Sequence, residues 1–271
     1  KKDKKFITGT RRYTDDINRA RQLSAYFVRS DRAHAEITSI DTAAASKAEG
    51  VVAVYTGEDV AADGIGGPIC GWVVPNRDGS STHEPPHPIL AQGRVRYVGD
   101  HVVAVIAESL KEAKAAAELV EIDYKDLPAV VDLASAANGA EIHEGMAGNR
   151  YFDWELGDEA ATEDALKNAA KVVRLKVRNN LLIPNAMEPR AAVAEYDDIA
   201  DAYTLYTTSQ NPHLTRLVIG AFMLNIPESK LNVVAPDVGG GFGSKIYVYP
   251  EEAVCTWASK KIKRPIKWTA D

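Results

Sequence analysis

Cysteine is almost absent from this sequence, and long apolar runs are missing altogether. Cys70 and Cys255 are the only cysteines among 271 residues, and they form no C-x-x-C pair. Such spacing argues against a zinc ribbon, an iron–sulfur cluster or a disulfide framework within the chain. No apolar stretch approaches the ~18 residues that cross a bilayer, so we expect no membrane span.

An excess of positive charge is also missing. Lys and Arg number 32 against 38 Asp and Glu, which gives a net charge of −6. That balance argues against a nucleic-acid-binding protein, whose surface should be basic. The N-terminus (Lys1, Lys2, Asp3, Lys4, Lys5) is charged, and no apolar segment of a secretory signal follows it. A cytoplasmic location is expected.

The first half has the pattern of a mixed α/β unit. Short β-rich runs predict strands at 23–28, 51–56 and 101–107. Asp41 is placed to cap an alanine-rich helix over 42–49. Ser109 and Glu112 form an S-x-x-E capping box before another helix.

Residues 63–88 predict a long surface loop, because Pro85, Pro86 and Pro88 exclude a helix or a central strand. His83 and His87 are four residues apart, but an i, i+4 metal pair needs the helix that these prolines forbid. We therefore expect no zinc site in the loop, which is interpreted as packing on a partner or another domain.

A small, alanine-rich stretch at 134–148 predicts the boundary to a second unit. That unit should begin with a helix near Thr162. Apolar and basic residues then alternate as in a half-buried strand with a basic outer face, namely Val173, Leu175 and Val177 with Arg174, Lys176 and Arg178. Further strands are predicted at 191–196, 203–207 and 231–235, and a final helix at 250–257.

Asn211 and Pro212 predict the start of a further helix, with Asn as the N-cap and Pro in the first turn. Its apolar stripe is expected to lie in the core and consists of Leu214, Leu217, Val218, Ala221 and Phe222. Gln210 then lies beside a helix N-terminus, which is favourable for an anionic or oxo ligand. Glu188 and Arg190 are predicted to pair with each other.

The sharpest motif is Gly239-Gly240-Gly241-Phe242-Gly243-Ser244-Lys245. A Walker A loop needs glycine where Ser244 stands, and a G-x-G-x-x-G fingerprint starting at Gly239 fails at the same position. Two interpretations remain equally open. The motif is either a sharp corner between strand and helix or a nest of backbone N–H groups that binds a ligand.

Together these segments resemble the large, molybdenum-bearing subunit of the molybdenum hydroxylases, the family of aerobic carbon monoxide dehydrogenase, xanthine dehydrogenase and aldehyde oxidase. The resemblance runs through nearly the whole chain. It is carried by FITG and YTDDI near the start, FVRS at 27–30, RYVGD at 96–100, ELVEIDYKDLPAV at 118–130, MEPR at 187–190, SQNPH at 209–213 and APDV running into the glycine motif.

The resemblance implies an α+β protein. An α/β hammerhead domain would span residues 1–134 and a linker 135–161. The first, incomplete part of a molybdopterin-binding domain would span 162–271. In this family the glutamine of the SQNPH segment, here Gln210, hydrogen-bonds a terminal oxygen on molybdenum.

The glycine turn of the family packs against the pterin and the ligand sphere of the metal, and Gly240, Gly241, Phe242 and Gly243 match it. No residue of this chain is expected to coordinate the metal directly. Phe242 could equally be a core aromatic, but its place between glycines favours the site.

The implied cofactor is molybdopterin with molybdenum, in the cytosine dinucleotide form. Iron–sulfur clusters and FAD would lie in partner subunits, an iron–sulfur subunit and a flavin subunit. The complete enzyme would hydroxylate carbon monoxide, an aldehyde or an N-heterocycle with oxygen from water. Ile246 stands where xanthine-type enzymes have an acidic residue, which favours the carbon monoxide dehydrogenase branch.

We expect this chain to be the N-terminal portion of the subunit. The catalytic base of the family would then lie downstream, so no catalytic residue is assigned here and the chain alone should be inactive. The alternative is a non-catalytic binding or assembly module, or a split subunit that needs a second chain.

Overall fold

The computed structural model describes residues 2–71 and 73–271. In chain order, its strands are β1 (Leu23–Arg29), β2 (Ala35–Asp41), β3 (Val51–Thr56), β4 (Arg94–Val95), β5 (His101–Ala107), β6 (Glu121–Asp126), β7 (Ala191–Asp197), β8 (Ala202–Thr207), β9 (Leu231–Val234) and β10 (Ile266–Thr269). The helices are α1 (Lys2–Ile7), α2 (Ala43–Ser46), α3 (Gly57–Ala62), α4 (Leu110–Ala117), α5 (Glu159–Lys167), α6 (Pro212–Leu217) and α7 (Pro250–Ile262).

One seven-stranded sheet runs through both halves of the sequence, in the order β3-β5-β1-β10-β7-β8-β9. The C-terminal strand β10 joins them. It pairs in parallel with β1 (Leu23 with Ile266) and antiparallel with β7 (Ile266 with Ala194). A separate three-stranded sheet has the order β4-β2-β6. The α+β class predicted from the sequence is confirmed.

The predicted strands of the first half are confirmed, and β5 is buried on both faces from Val102 onward. The helix predicted over 42–49 is wrong in extent, since α2 is a single turn. Asp41 ends β2, and its Oδ1 still accepts a bond from the Ala43 amide at 2.8 Å. Ser109 caps α4 as predicted, because its Oγ accepts from the Glu112 amide at 3.2 Å.

The described residues of the predicted loop, 63–71 and 73–88, contain no helix or strand, while position 72 lies outside the described residues. Within the described residues, no group of three or more His, Cys, Asp or Glu side chains could hold a metal ion. None of the helices in that part of the chain combines the length and apolarity that crossing a bilayer requires.

The predicted core stripe after Asn211 is partly wrong, because α6 widens into a π-helix over 218–223. The wider turn rotates the later side chains, so that Ile219 and Met223 are buried while Phe222 is exposed. Leu217 and Ala221 also lie on the exposed side. Asn211 does cap the helix, accepting from the Leu214 amide at 3.2 Å.

Two further predictions for the second half need correction. The helix expected near Thr162 begins at Glu159, because Asp158 caps it by accepting from the Ala161 amide. The strand expected around Val173, Leu175 and Val177 is wrong, since residues 168–190 contain no helix or strand and these three side chains are exposed. Within the described residues, no strand pairs with this segment.

A buried carboxylate links the last helix of the chain to two strands of the first half. Glu251, in the first turn of α7, accepts from Arg29 of β1 at 2.7 Å and from His101 Nε2 of β5 at 2.8 Å. Burial acts to raise the pKa of Glu251, but the hydrogen bond from His101 and the charges of His101 and Arg29 outweigh it and hold the pKa below its usual value.

We predict that Glu251→Gln lowers the free energy of unfolding by about 2 kcal/mol at pH 7, the typical loss for a hydrogen bond to a charged group. A carboxyl group with a depressed folded pKa stabilises above its unfolded pKa of about 4.3, and that stabilisation is lost as the pH falls through the folded value. The deficit should therefore shrink in acid. Urea unfolding at pH 7 and pH 3.5 measures it.

Glu163→Gln, on the exposed face of α5, is the matched control and should change stability little at either pH. If Glu251→Gln lowered the free energy of unfolding equally at both pH values, the result would contradict the ionic role of Glu251.

Candidate cofactor site

The glycine motif forms a tight turn after β9. Gly240, Phe242 and Gly243 have positive φ angles of 98°, 51° and 85°. Phe242 is the unusual member, because side-chain-bearing residues rarely adopt this region. Its ring is 75% exposed. The interpretation of Phe242 as a core aromatic is therefore wrong, and the turn instead presents this ring at the surface.

The structure brings Gln210 into direct contact with this turn. The backbone N–H of Gln210 donates to the Lys245 carbonyl at 2.8 Å. The side-chain Oε1 of Gln210 accepts from the backbone N–H of Gly243 at 3.0 Å. A Cβ atom at position 241 would lie 2.3 Å from Cδ of Gln210. Glycine at 241 thus lets the two segments approach each other.

Several hydrogen-bond donors around this contact have no acceptor within the described residues. Because Oε1 of Gln210 accepts, its Nε2 group is the donor end, and it has no acceptor among residues 2–71 and 73–271. The backbone N–H groups of Gly240, Gly241 and Phe242 also lack acceptors within that part of the chain. These groups suit a ligand that is rich in oxygen and carries negative charge.

An ion pair lies beneath the turn. Glu188 Oε2 accepts from the Gly239 amide at 2.6 Å and from Lys245 Nζ at 3.0 Å, while Lys245 also donates to the Glu188 carbonyl at 2.8 Å. The two side chains are only 8% and 3% exposed. The predicted pairing of Glu188 with Arg190 is wrong, because Lys245 reaches Glu188 from the far end of the turn.

Arg190 instead supports the chain that follows the turn. Its guanidinium group donates to the Ser244 carbonyl at 3.2 Å and to the Tyr247 carbonyl at 2.6 Å, and it stacks on the Tyr249 ring at 3.6 Å. It also lies 3.7 Å from Oε1 of Glu252, a carboxyl group whose pKa is raised by burial despite the opposing charge of Arg190.

The N-terminal arm before β1 contributes contacts that the sequence did not predict. Arg11 forms an ion pair with Asp237, and the Asp237 amide donates to the Arg12 carbonyl at 3.1 Å. The Tyr13 ring lies against Gly239, within 3.3 Å of where a Cβ atom would stand. The N-terminal arm thus supports the start of the turn, in addition to Glu188. No sequence spacing links residues that are so far apart.

Two family models match the chain in succession. Residues 8–128 match the a/b hammerhead domain of aldehyde oxidase and xanthine dehydrogenase, and residues 142–271 match the molybdopterin cofactor-binding domain. The chain belongs to the molybdenum hydroxylases. The glycine turn and Gln210 both fall within the second match.

Individual molybdenum hydroxylases are similar over the whole chain. Nicotine 6-hydroxylase large subunit of Paenarthrobacter nicotinovorans is 35% identical, over 99% of this chain and 32% of its own length. Carbon monoxide dehydrogenase large chain of Hydrogenophaga pseudoflava is 34% identical, over 100% of this chain and 34% of its own length.

A solved structure shows the same fold. Quinoline 2-oxidoreductase from Pseudomonas putida 86 superposes with a TM-score of 0.87 at 34% identity, with 100% of this chain and 34% of that chain covered. The chain therefore spans about a third of the length of these relatives.

We predict that Lys245→Met lowers the free energy of unfolding by about 3 kcal/mol, because it leaves the buried Glu188 carboxylate without its cation. The double variant Lys245→Met/Glu188→Gln should lose less than the sum of the two single variants, since it leaves no unpaired charge. Chemical denaturation of the four proteins measures this coupling.

Lys176→Met provides the control, as Lys176 is exposed and forms no ion pair within the described residues. If Lys245→Met were as mild as Lys176→Met, the ion pair would not support the turn.

Proposed function

We propose that Gln210, Gly240, Gly241, Phe242 and Gly243 bind the molybdopterin cofactor of a molybdenum hydroxylase large subunit. One observation carries the proposal: the Nε2 group of Gln210 and three successive backbone N–H groups lie without acceptors on one glycine turn. Phosphate and oxo groups need such donors. A Cβ atom at position 243 would meet nothing within 4 Å, so a bound group can approach the backbone of the turn at Gly243.

The residues of the site have different roles in this proposal. The turn supplies backbone donors, and Gln210 supplies a neutral amide that orients a ligand without adding charge. Glu188 and Lys245 hold the backbone of the turn from beneath. The bound cofactor would supply the redox chemistry. No residue of this chain is proposed as the catalytic base.

The complete enzyme, by this proposal, hydroxylates a small substrate with oxygen from water. Similarity to large subunits of nicotine 6-hydroxylase and carbon monoxide dehydrogenase supports a substrate that is an N-heterocycle or carbon monoxide, and an aldehyde fits the same family. A non-catalytic assembly module gains no support from these relatives, which are named as subunits of enzymes.

The more specific proposals, on the cofactor form, the partner subunits, the location and the domain bounds, rest on the resemblance to the family. We propose the cytosine dinucleotide form of the cofactor, iron–sulfur and flavin subunits that hold the clusters and FAD, and a cytoplasmic location. The proposed domains are a hammerhead domain at 1–134, a linker at 135–161 and the first part of the cofactor-binding domain at 162–271. The matched ranges 8–128 and 142–271 support a division into two domains, and the second range begins inside the proposed linker.

In the complete enzyme, Gln210→Ala should lower kcat per bound molybdenum about 100-fold, corresponding to the ~3 kcal/mol that one preorganised donor contributes. Thermal unfolding should change little, since the side chain is exposed and makes one bond to the turn. Steady-state kinetics normalised to metal content measures the effect.

Gln92→Ala removes an exposed amide outside the turn and should leave both quantities unchanged. Unchanged normalised kcat together with reduced stability in Gln210→Ala would make Gln210 a scaffold residue and overturn the proposal.

A further inference from the structure

Residues 154–185 form a continuous stretch in which every residue is exposed. It includes α5 and the segment after it, which contains no helix or strand. The stretch lies inside the range that matches the cofactor-binding domain. Glu155 and Glu159 form ion pairs with Arg77, but no residue of the stretch is buried among the described residues.

One part of this stretch has the sequence of a half-buried strand. Val173, Leu175 and Val177 are 80%, 82% and 80% exposed. Arg174, Lys176 and Arg178 alternate with them, so an extended chain would place three apolar groups on one face and three cations on the other. Water on such an apolar face is unfavourable, and unpaired strand backbone is a template for β-pairing.

We propose that residues 171–178 form a β-strand by pairing with a strand from the remainder of the large subunit. The chain spans about a third of its relatives, which therefore contain roughly twice its length of further polypeptide that could supply this strand. The pairing strand would carry apolar residues on the face next to Leu175 and neutral or acidic residues on the face next to Lys176.

Charge argues against a second copy of this chain as the occupant. Two copies of the segment paired with each other would place their Arg and Lys side chains on the same face, and like charges directly opposite each other destabilise a sheet. A strand with carboxylates at those positions avoids this repulsion. The proposal rests on the proposed function only for the identity of the occupant.

Cysteine labelling tests the alternation directly. Leu175→Cys and Lys176→Cys are adjacent positions on opposite faces of the proposed strand. In the full-length large subunit, separated from other subunits, a maleimide should label Leu175→Cys at least tenfold more slowly than Lys176→Cys. In residues 1–271 alone, the two rates should agree within about twofold.

Equal rates in the full-length subunit would overturn the proposal. So would protection that appears only after other subunits are added, or protection of residues 1–271 that rises with protein concentration, as a second copy would cause. Hydrogen exchange of the 171–178 amides, slowed at least 100-fold in the full-length subunit, provides a second measurement without substitutions. Neither readout depends on the cofactor, so failure of the proposed cofactor site would leave these results unchanged.

Discussion

The buried pair of Glu188 and Lys245 is the contact on which the candidate site depends. Both charges have left water, which is costly unless each finds a partner and further hydrogen bonds. Here one carboxylate oxygen receives both the lysine and the Gly239 amide, and the lysine returns to the Glu188 carbonyl. Gly239 and Lys245, at the two ends of the turn, are thereby bound to the same oxygen of Glu188. The donors between them can then stay unpaired toward a ligand.

The shared sheet explains how two sequence regions meet at this point. Strand β10 lies between β1 of the first half and β7 of the second, and Glu251 links α7 to both β1 and β5. Arg11 and Tyr13 of the N-terminal arm then reach the residues around the turn. The hammerhead region and the elements around the glycine turn therefore share one hydrophobic core.

The features that the sequence predicts correctly are those that local chemistry decides. The strand β5 follows from an apolar run, and the Asn211 cap follows from a capping residue before a proline. The wrong predictions concern partners that are distant in the sequence. Lys245, and not Arg190, is the partner of Glu188, and the π-helix places Phe222 outside the core. The strand predicted at 173–177 is absent, and no neighbouring strand pairs with that segment within the described residues.

The central claim is that the unpaired donors of the glycine turn face the cofactor. A high-resolution structure of the molybdenum-loaded, full-length subunit tests it most directly. The account predicts that Nε2 of Gln210 and the N–H groups of Gly240, Gly241 and Phe242 lie within hydrogen-bonding distance of cofactor atoms, about 3 Å. A cofactor bound elsewhere, with these four donors still facing solvent, would contradict it.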